Sequence, residues 1–473
     1  MTGIRRTTPA AARLRALAAA ACAALLAAAL PAQHGGLDAT GERAVAFTGA
    51  TILTVSGEPL ADGTLVLRNG LVEAVGPSAS TTVPAGAAVV DASGKFIMPG
   101  IIDAHSHMGV YSWPGVEANS DGNEMTAPVT AQVRAEDSVN LEDPAFERAR
   151  AGGVTTVLVL PGSGNMISGE GVVLKLRPVP VLEAMKMAEA PRQLKMAMGE
   201  NPKRVYGGRG QLPSTRMGLM AKLRETFTKA EEYRAKKARH AEAVARYEAK
   251  LAEYEAHAAA GALKEDEERP EAPDPPEFDA LNETLVDVLE GRVRVNVHCY
   301  RRDDIEDILR ISDEYGFPIA SLHHALEAYK LAPELARRRI AVATWPDWWG
   351  FKMEAWDATP EAVAILANAG VNTVLKSDSS DVVQRMFHEA AKARKYGMTE
   401  PQALASITLA PAKALGIDKW VGSLEPGKHA DVAVFSKHPF DMYTRVEMTF
   451  IDGRQVFDRA EYEAAQTHPE YTP

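Results

Sequence analysis

The chain is 473 residues long, 46% hydrophobic and 24% charged, with a formal net charge of −11 and two cysteines. That length holds a large domain and a smaller one with ample core. The acidic balance, with no basic stripe outside the extreme N-terminus, argues against nucleic acid as a partner and names no substrate by itself.

Arg5, Arg6, Arg13 and Arg15 precede an apolar run over residues 17–30, which ends in L-P-A-Q with a small residue where a signal peptidase cuts. The run has 14 residues, short of the roughly 20 needed to span a membrane, so residues 1–33 read as a secretory signal peptide. The mature chain is expected in the periplasm or secreted, with no stable membrane span. Cys22 falls inside this leader and Cys299 stands alone in the rest, so no intrachain disulfide is available.

Residues 34–98 alternate apolar and polar side chains in short runs between turn residues, T-L-V-L-R-N-G-L-V-E-A-V-G among them, the pattern of a small β-structure. Residues 416–460 repeat the style in D-V-A-V-F and V-E-M-T-F-I-D-G-R-Q-V-F, so the two ends are expected to pair. Over 99–415 eight buried-strand runs alternate with helical stretches: I-I-D-A-H, V-T-T-V-L-V-L-P, V-V-L-K-L, Q-L-K-M-A-M, V-R-V-N-V-H-C, P-I-A-S-L-H-H, I-A-V-A-T-W and V-N-T-V-L-K-S-D. They predict an α/β fold, a parallel (β/α)8 barrel of TIM type, with its site at the C-terminal ends of the strands. One segment breaks the rhythm. From residue 217 to about 263 the chain is dense in Ala, Glu, Lys and Arg, and E-E-R-P-E-A-P-D-P-P follows. This predicts a charged helix or helical hairpin inserted before strand five, over 214–277, as a solvated elaboration or a partner-binding arm.

The histidines carry the chemistry. His105 and His107 end the first barrel strand, His298 the fifth, His323 and His324 the sixth, and Asp378 the eighth. Residues two apart on a strand share a face, so His105 and His107 both project into the barrel mouth. Imidazoles and carboxylates converging there suit Zn²⁺ or a similar divalent ion. A lone strand histidine is usually a satisfied core residue; four strand ends in agreement point to a metal.

The chain resembles the amidohydrolase superfamily of metal-dependent hydrolases, in its imidazolonepropionase-like and prolidase-like branch. The likeness is carried by K-F-I-M-P-G-I-I-D-A-H-S-H, G-V-T-T-V, H-H-A-L-E-A-Y-K, S-D-S-S and the tail T-L-A-P-A-K-A-L-G-I with G-S-L-E-P-G-K-H-A-D-V-A-V. It implies that both chain ends build a composite β-sandwich beside the barrel. It places the family's ligands on His105, His107, His298 and Asp378, and on His324 for strand six, with His323 pointing the opposite way. A ligand bridging two metals would be a carboxylated Lys195, in L-K-M, as in prolidase-like members. Glu200, in M-G-E-N-P, is the alternative from another branch, and Lys175 a third; a one-metal site needs none of them. Lys195 is preferred because the preceding I-S-G-E-G resembles the prolidase-like strand-three turn.

The cofactor expected is a divalent metal, zinc first, as one ion or two. Such an ion acidifies a water and polarises a carbonyl. Asp378 is placed as general base and then acid, with His298 or His324, where not ligated, as donors to the oxyanion. The loop T-W-P-D-W-W-G-F-K-M-E sets Trp345, Trp348, Trp349 and Lys352 at the active face, where they would meet an apolar or carboxylate-bearing substrate or pack against the insert. Tyr300, Arg301 and Arg204 are weaker candidates of the same kind. The expected function is an exported amidohydrolase cleaving a C–N bond of a small-molecule or peptide substrate, such as a cyclic amide, an Xaa-Pro bond or an acyl-amino-acid bond. A metal-dependent deaminase is the alternative enzyme, and a non-catalytic scaffold on a degenerate barrel the alternative from another class. Assembly into a homo-oligomer is left open.

Overall fold

Short alternating strands open the part of the chain described by the computed structural model, residues 36–264 and 266–466. They are β1 (Val45–Ile52), β2 (Leu60–Arg68), β3 (Leu71–Pro77), β4 (Ala88–Asp91) and β5 (Phe96–Pro99). Asn69 and Gly70 both take positive φ, 53° and 76°, the two-residue turn whose twist suits the β2–β3 hairpin. The leader expected over residues 1–33 lies outside the described residues.

The barrel strands follow as β6 (Ile101–Ser106), β7 (Val154–Val159), β8 (Ile167–Lys175), β9 (Gln193–Ala197), β10 (Arg294–Cys299), β11 (Ile319–His324), β12 (Ala341–Thr344) and β13 (Thr373–Leu375). They lie side by side in sequence order. One expectation is corrected: β8 runs antiparallel to both β7 and β9, so the sheet is not wholly parallel. Only residues 160–166 join β7 to β8, too few for the crossover a parallel neighbour requires. The β13–β6 seam is closed by the segment at 406–407. Leu375 donates to the Ser406 carbonyl and Ile102 to that of Ile407, both at 2.9 Å.

Alternation sorts the barrel strands into two faces. In β9 and β10, Leu194, Met196, Val295 and Val297 join an apolar cluster with Ile305, Ile308 and Ile311 of the helix Arg302–Tyr315. Gln193, Lys195, Asn296 and His298 have the opposite parity and form a buried polar interior. Three more strands, β14 (Val432–Phe435), β15 (Val446–Ile451) and β16 (Arg454–Asp458), precede a helix at Arg459–Gln466. β14 pairs antiparallel with β5, Val432 opposite Pro99 and Phe435 opposite Phe96, so the two ends share one sheet. Phe450 meets Phe47 edge-on at 5.4 Å in its core.

The insert is one helix, Arg216–Ala259, not a hairpin; no Gly or Pro falls between 219 and 260 to break it. At 1.5 Å per residue its 44 residues extend roughly 66 Å. Thr215 caps its start by accepting from Gly218 N–H, and Leu219, Leu223, Phe227 and Tyr233 are buried, whereas none beyond Tyr233 is. Among the described residues no helix is long and apolar enough to cross a membrane.

Candidate metal centre

Asp103 and His105 share one face of β6. The buried Asp103 carboxylate accepts from the backbone N–H of His105 and of Ser377, each at 3.1 Å, and from the Ser377 hydroxyl. Asp378 N–H donates to the His105 carbonyl at 3.0 Å. The end of β6 is thus stitched to the segment after β13. Asp378 is held at φ 52°, a conformation that costs an ordinary residue about 1 kcal/mol and persists where its surroundings fix it. Burial pushes Asp103 up to about 6 against the bonds from Ser377 and His105.

Asp378 Oδ1 lies 3.4 Å from His105 Nε2 and 3.2 Å from His107 Nε2, and the two nitrogens are 3.4 Å apart. His107 Nδ1 donates to the Leu160 carbonyl at 2.7 Å, which turns the Nε2 side of the ring toward this cluster. On the other carboxylate oxygen, His324 Nδ1 stands 3.6 Å from Asp378 Oδ2, buried and without a hydrogen-bond partner among the described residues. Ligand atoms of His105, His324 and Asp378 all lie within 4.8 Å of one another. Imidazole nitrogens and a carboxylate gathered this closely are a ligand set that a divalent cation satisfies. The residues present therefore fit a metal ion.

The electrostatics agree. Burial pushes His105, His298, His323 and His324 well below 6.5, with Lys195 adding to the shift at the first three and Lys376 leading the charge effects at His324. Neutral imidazole is the form that binds metal. Burial would raise the Asp378 carboxyl, but Lys376, His107 and Lys195 outweigh it and hold the group below the usual carboxylate range.

The three bridging candidates separate clearly in space. Lys195, fully buried, points Nζ at His105 Nε2 (3.5 Å) and at the Pro161 carbonyl (3.3 Å). Burial lowers it to about 7. Glu200 is 37% exposed and pairs with Lys352 at 3.4 Å. Lys175 belongs elsewhere, bonded to Asp431 and His429 at 2.9 Å and to Asp452. His298 faces Ser163 Oγ from Nδ1 at 2.9 Å and Asn201 Nδ2 from Nε2 at 3.4 Å, with its ring edge-on to His324 at 4.3 Å.

The expectation that His323 points away from the centre is wrong. Its Nδ1 lies 2.8 Å from Nδ1 of His105. His324 and Ala325 adopt φ of 67° and 39°, which breaks the strand's alternation and lets two consecutive histidines face inward. Lys376 is the residue the sequence reading missed: fully buried, its Nζ is 3.4 Å from Asp378 Oδ2 and 3.4 Å from the Trp345 ring centre. Its signal was a charged residue in V-L-K-S-D, two before the aspartate and so of the same parity.

An aromatic wall rises from the centre. Tyr300 stacks on His324 at 4.9 Å, and Trp345, tilted against His324 at 4.9 Å, stacks on Trp348 at 4.6 Å. Phe351 meets Tyr300, Trp345 and Trp348 at 6.1 to 6.4 Å. Lys352 lies over Tyr300 but is already paired with Glu200 and Glu354. Arg301 is engaged by Asp303, and Arg204 and Trp349 are exposed.

Comparison with known proteins accords with this geometry. The Amidohydrolase family model matches residues 96–456. A crystal structure of an amidohydrolase from Thermotoga maritima MSB8 is 38% identical with a TM-score of 0.75, over 88% of this chain and 100% of that one. Amidohydrolase tasK of Hapsidospora irregularis is 34% identical over 84% of this chain, which spans only 40% of that relative's length. An imidazolonepropionase of Mesorhizobium japonicum is 24% identical over 81% of this chain and 89% of its own. A barrel carrying histidines and an aspartate at its strand ends, and a family match across most of its length, make this chain a member of the amidohydrolase family of hydrolases acting on C–N bonds.

Proposed function

We propose that the chain holds one or two divalent ions, zinc first, between His105, His107, His298, His324 and Asp378, with Lys195 as a carboxylated bridge if two are bound. It then hydrolyses an amide with an apolar or aromatic flank. The observation that carries this reading is the gathering of His105, His324 and Asp378 ligand atoms within 4.8 Å of one another, with His324 Nδ1 buried and without a hydrogen-bond partner among the described residues. When bound, such an ion supplies a water acidified toward neutrality and Lewis-acid polarisation of the amide carbonyl. Asp378, kept ionised by Lys376, accepts a proton from water at Oδ2 and returns it to the leaving nitrogen. Its Oδ1 stays with the imidazole pair. Tyr300, Trp345, Trp348 and Phe351 exclude water from one side of the mouth and give an apolar group a surface to stack on. Lys352 is neutralised by two carboxylates, which favours the apolar over the carboxylate-bearing substrate.

A half-neutral Lys195 supports the bridge, because only the free amine adds CO2. The basic and apolar character of residues 1–33 supports export. The test is a screen of zinc- or manganese-loaded protein against dipeptides, N-acyl amino acids and cyclic amides, each with aromatic and small flanks. Hydrolysis favouring aromatic members is expected; deamination without amide cleavage would contradict the reading.

A further inference from the structure

Four polar side chains inside the barrel have no part in the reaction just described, yet each is oriented by its neighbours. The register sets Asn296 of β10 between Lys195 of β9 and Ser321 of β11, and His298 opposite His323. Gln193 Nε2 donates to the carbonyls of Pro191 and Leu415, both at 3.1 Å, leaving Oε1 to accept from Asn296 Nδ2 at 3.0 Å. Asn296 Nδ2 also faces the carbonyls of Arg294 (3.3 Å) and Leu194 (3.5 Å). Carbonyls only accept, so both amides have one orientation and Asn296 Oδ1 faces β11.

Ser321 Oγ lies 2.7 Å from that oxygen and 2.7 Å from His323 Nε2. Two oxygens at this separation with no proton between them would repel, so the hydroxyl proton goes to Asn296 and Ser321 accepts from His323 Nε2–H. Nε2 also lies 3.2 Å from Asn296 Oδ1, a second acceptor for the same proton. A fully buried ring without a paired counter-charge is neutral, so His323 Nδ1 is bare. It lies 2.8 Å from His105 Nδ1, which must then carry the proton and leave His105 Nε2 bare toward Asp378.

We infer that His323 is a positioning residue: the chain Gln193–Asn296–Ser321–His323 fixes His105 as the Nδ1–H tautomer and turns its Nε2 lone pair toward the cluster. Its use rests on the metal centre proposed above, whereas the tautomer itself does not. Partners of this kind typically alter metal affinity about 10- to 100-fold when removed.

The experiment is ¹⁵N NMR of histidine-labelled, metal-free protein, with His105 and His323 assigned by substitution. A protonated Nδ1 on His105 and a protonated Nε2 on His323 are expected. In parallel, zinc affinity is measured by chelator competition. His323→Leu should bind about 10- to 100-fold more weakly, and His323→Asn, whose amide oxygen replaces the lost acceptor, should recover most of the loss. A merely structural role would lower thermal stability in both variants and leave affinity unchanged. Finding Nε2–H on His105 in the wild type, or wild-type zinc affinity in a folded His323→Leu, overturns the inference. Should the leucine variant not fold, the wild-type tautomer decides alone. Wild-type protein that binds no zinc would instead refute the proposed function.

Discussion

Replacing Lys195 with Met keeps much of the side-chain volume and removes a buried amine. Burial lowers this lysine from 10.5 to about 7, and each tenfold change in its proton affinity is worth about 1.36 kcal/mol. Its folded value lies below its unfolded one, so between these limits the unfolded chain binds more protons and wild-type stability rises with pH. Relative to a neutral side chain, the buried ammonium costs the metal-free protein about 4 kcal/mol at pH 7 and about 2 kcal/mol at pH 9. Lys195→Met should therefore stabilise the metal-free protein, and its advantage should shrink by about 2 kcal/mol between those pH values. Urea unfolding of both proteins with chelator present, at pH 7, 8 and 9, measures this directly, since other titrating groups largely cancel in the difference. An advantage that does not change with pH, or a variant less stable than wild type at pH 7, would refute a depressed Lys195.

Other substitutions separate roles within and outside the centre. Asp378→Asn keeps the shape but cannot take a proton, so turnover should fall by about 100-fold or more with the fold intact; full activity would remove Asp378 from the acid and base role. Glu200→Ala should leave the number of bound ions unchanged whereas Lys195→Ala should lower it, as elemental analysis will show; the reverse result would move the bridge to Glu200. Lys175→Met strands the buried Asp431 carboxylate and should cost about 3–5 kcal/mol of stability in urea, without altering metal content in the folded protein.

Much of this arrangement was legible in the residues. The alternation of β9 and β10 marks which side chains face inward, and Asn69-Gly70 announces its hairpin. His105, His107 and Asp378 meet as the strand-end pattern predicts. Strand direction was not legible, because a period of two reads the same both ways; the short link 160–166 before β8 was the overlooked clue. His323 was misplaced because parity holds only while φ stays in the extended region, and the left-handed turn at His324 and Ala325 has no glycine to signal it. Lys376 was passed over as an ordinary strand-end charge, and its burial against Trp345 and Asp378 appears only when β12 and β13 lie together. No local pattern could join Gln193 to His323, since their chain of bonds crosses three strands.

His105, His324 and Asp378, gathered at the strand ends, are expected to hold a metal. Metal content per chain, measured by elemental analysis after reconstitution with zinc or manganese and removal of excess, tests this most directly. One or two equivalents are predicted, and less than a tenth of an equivalent would contradict the account.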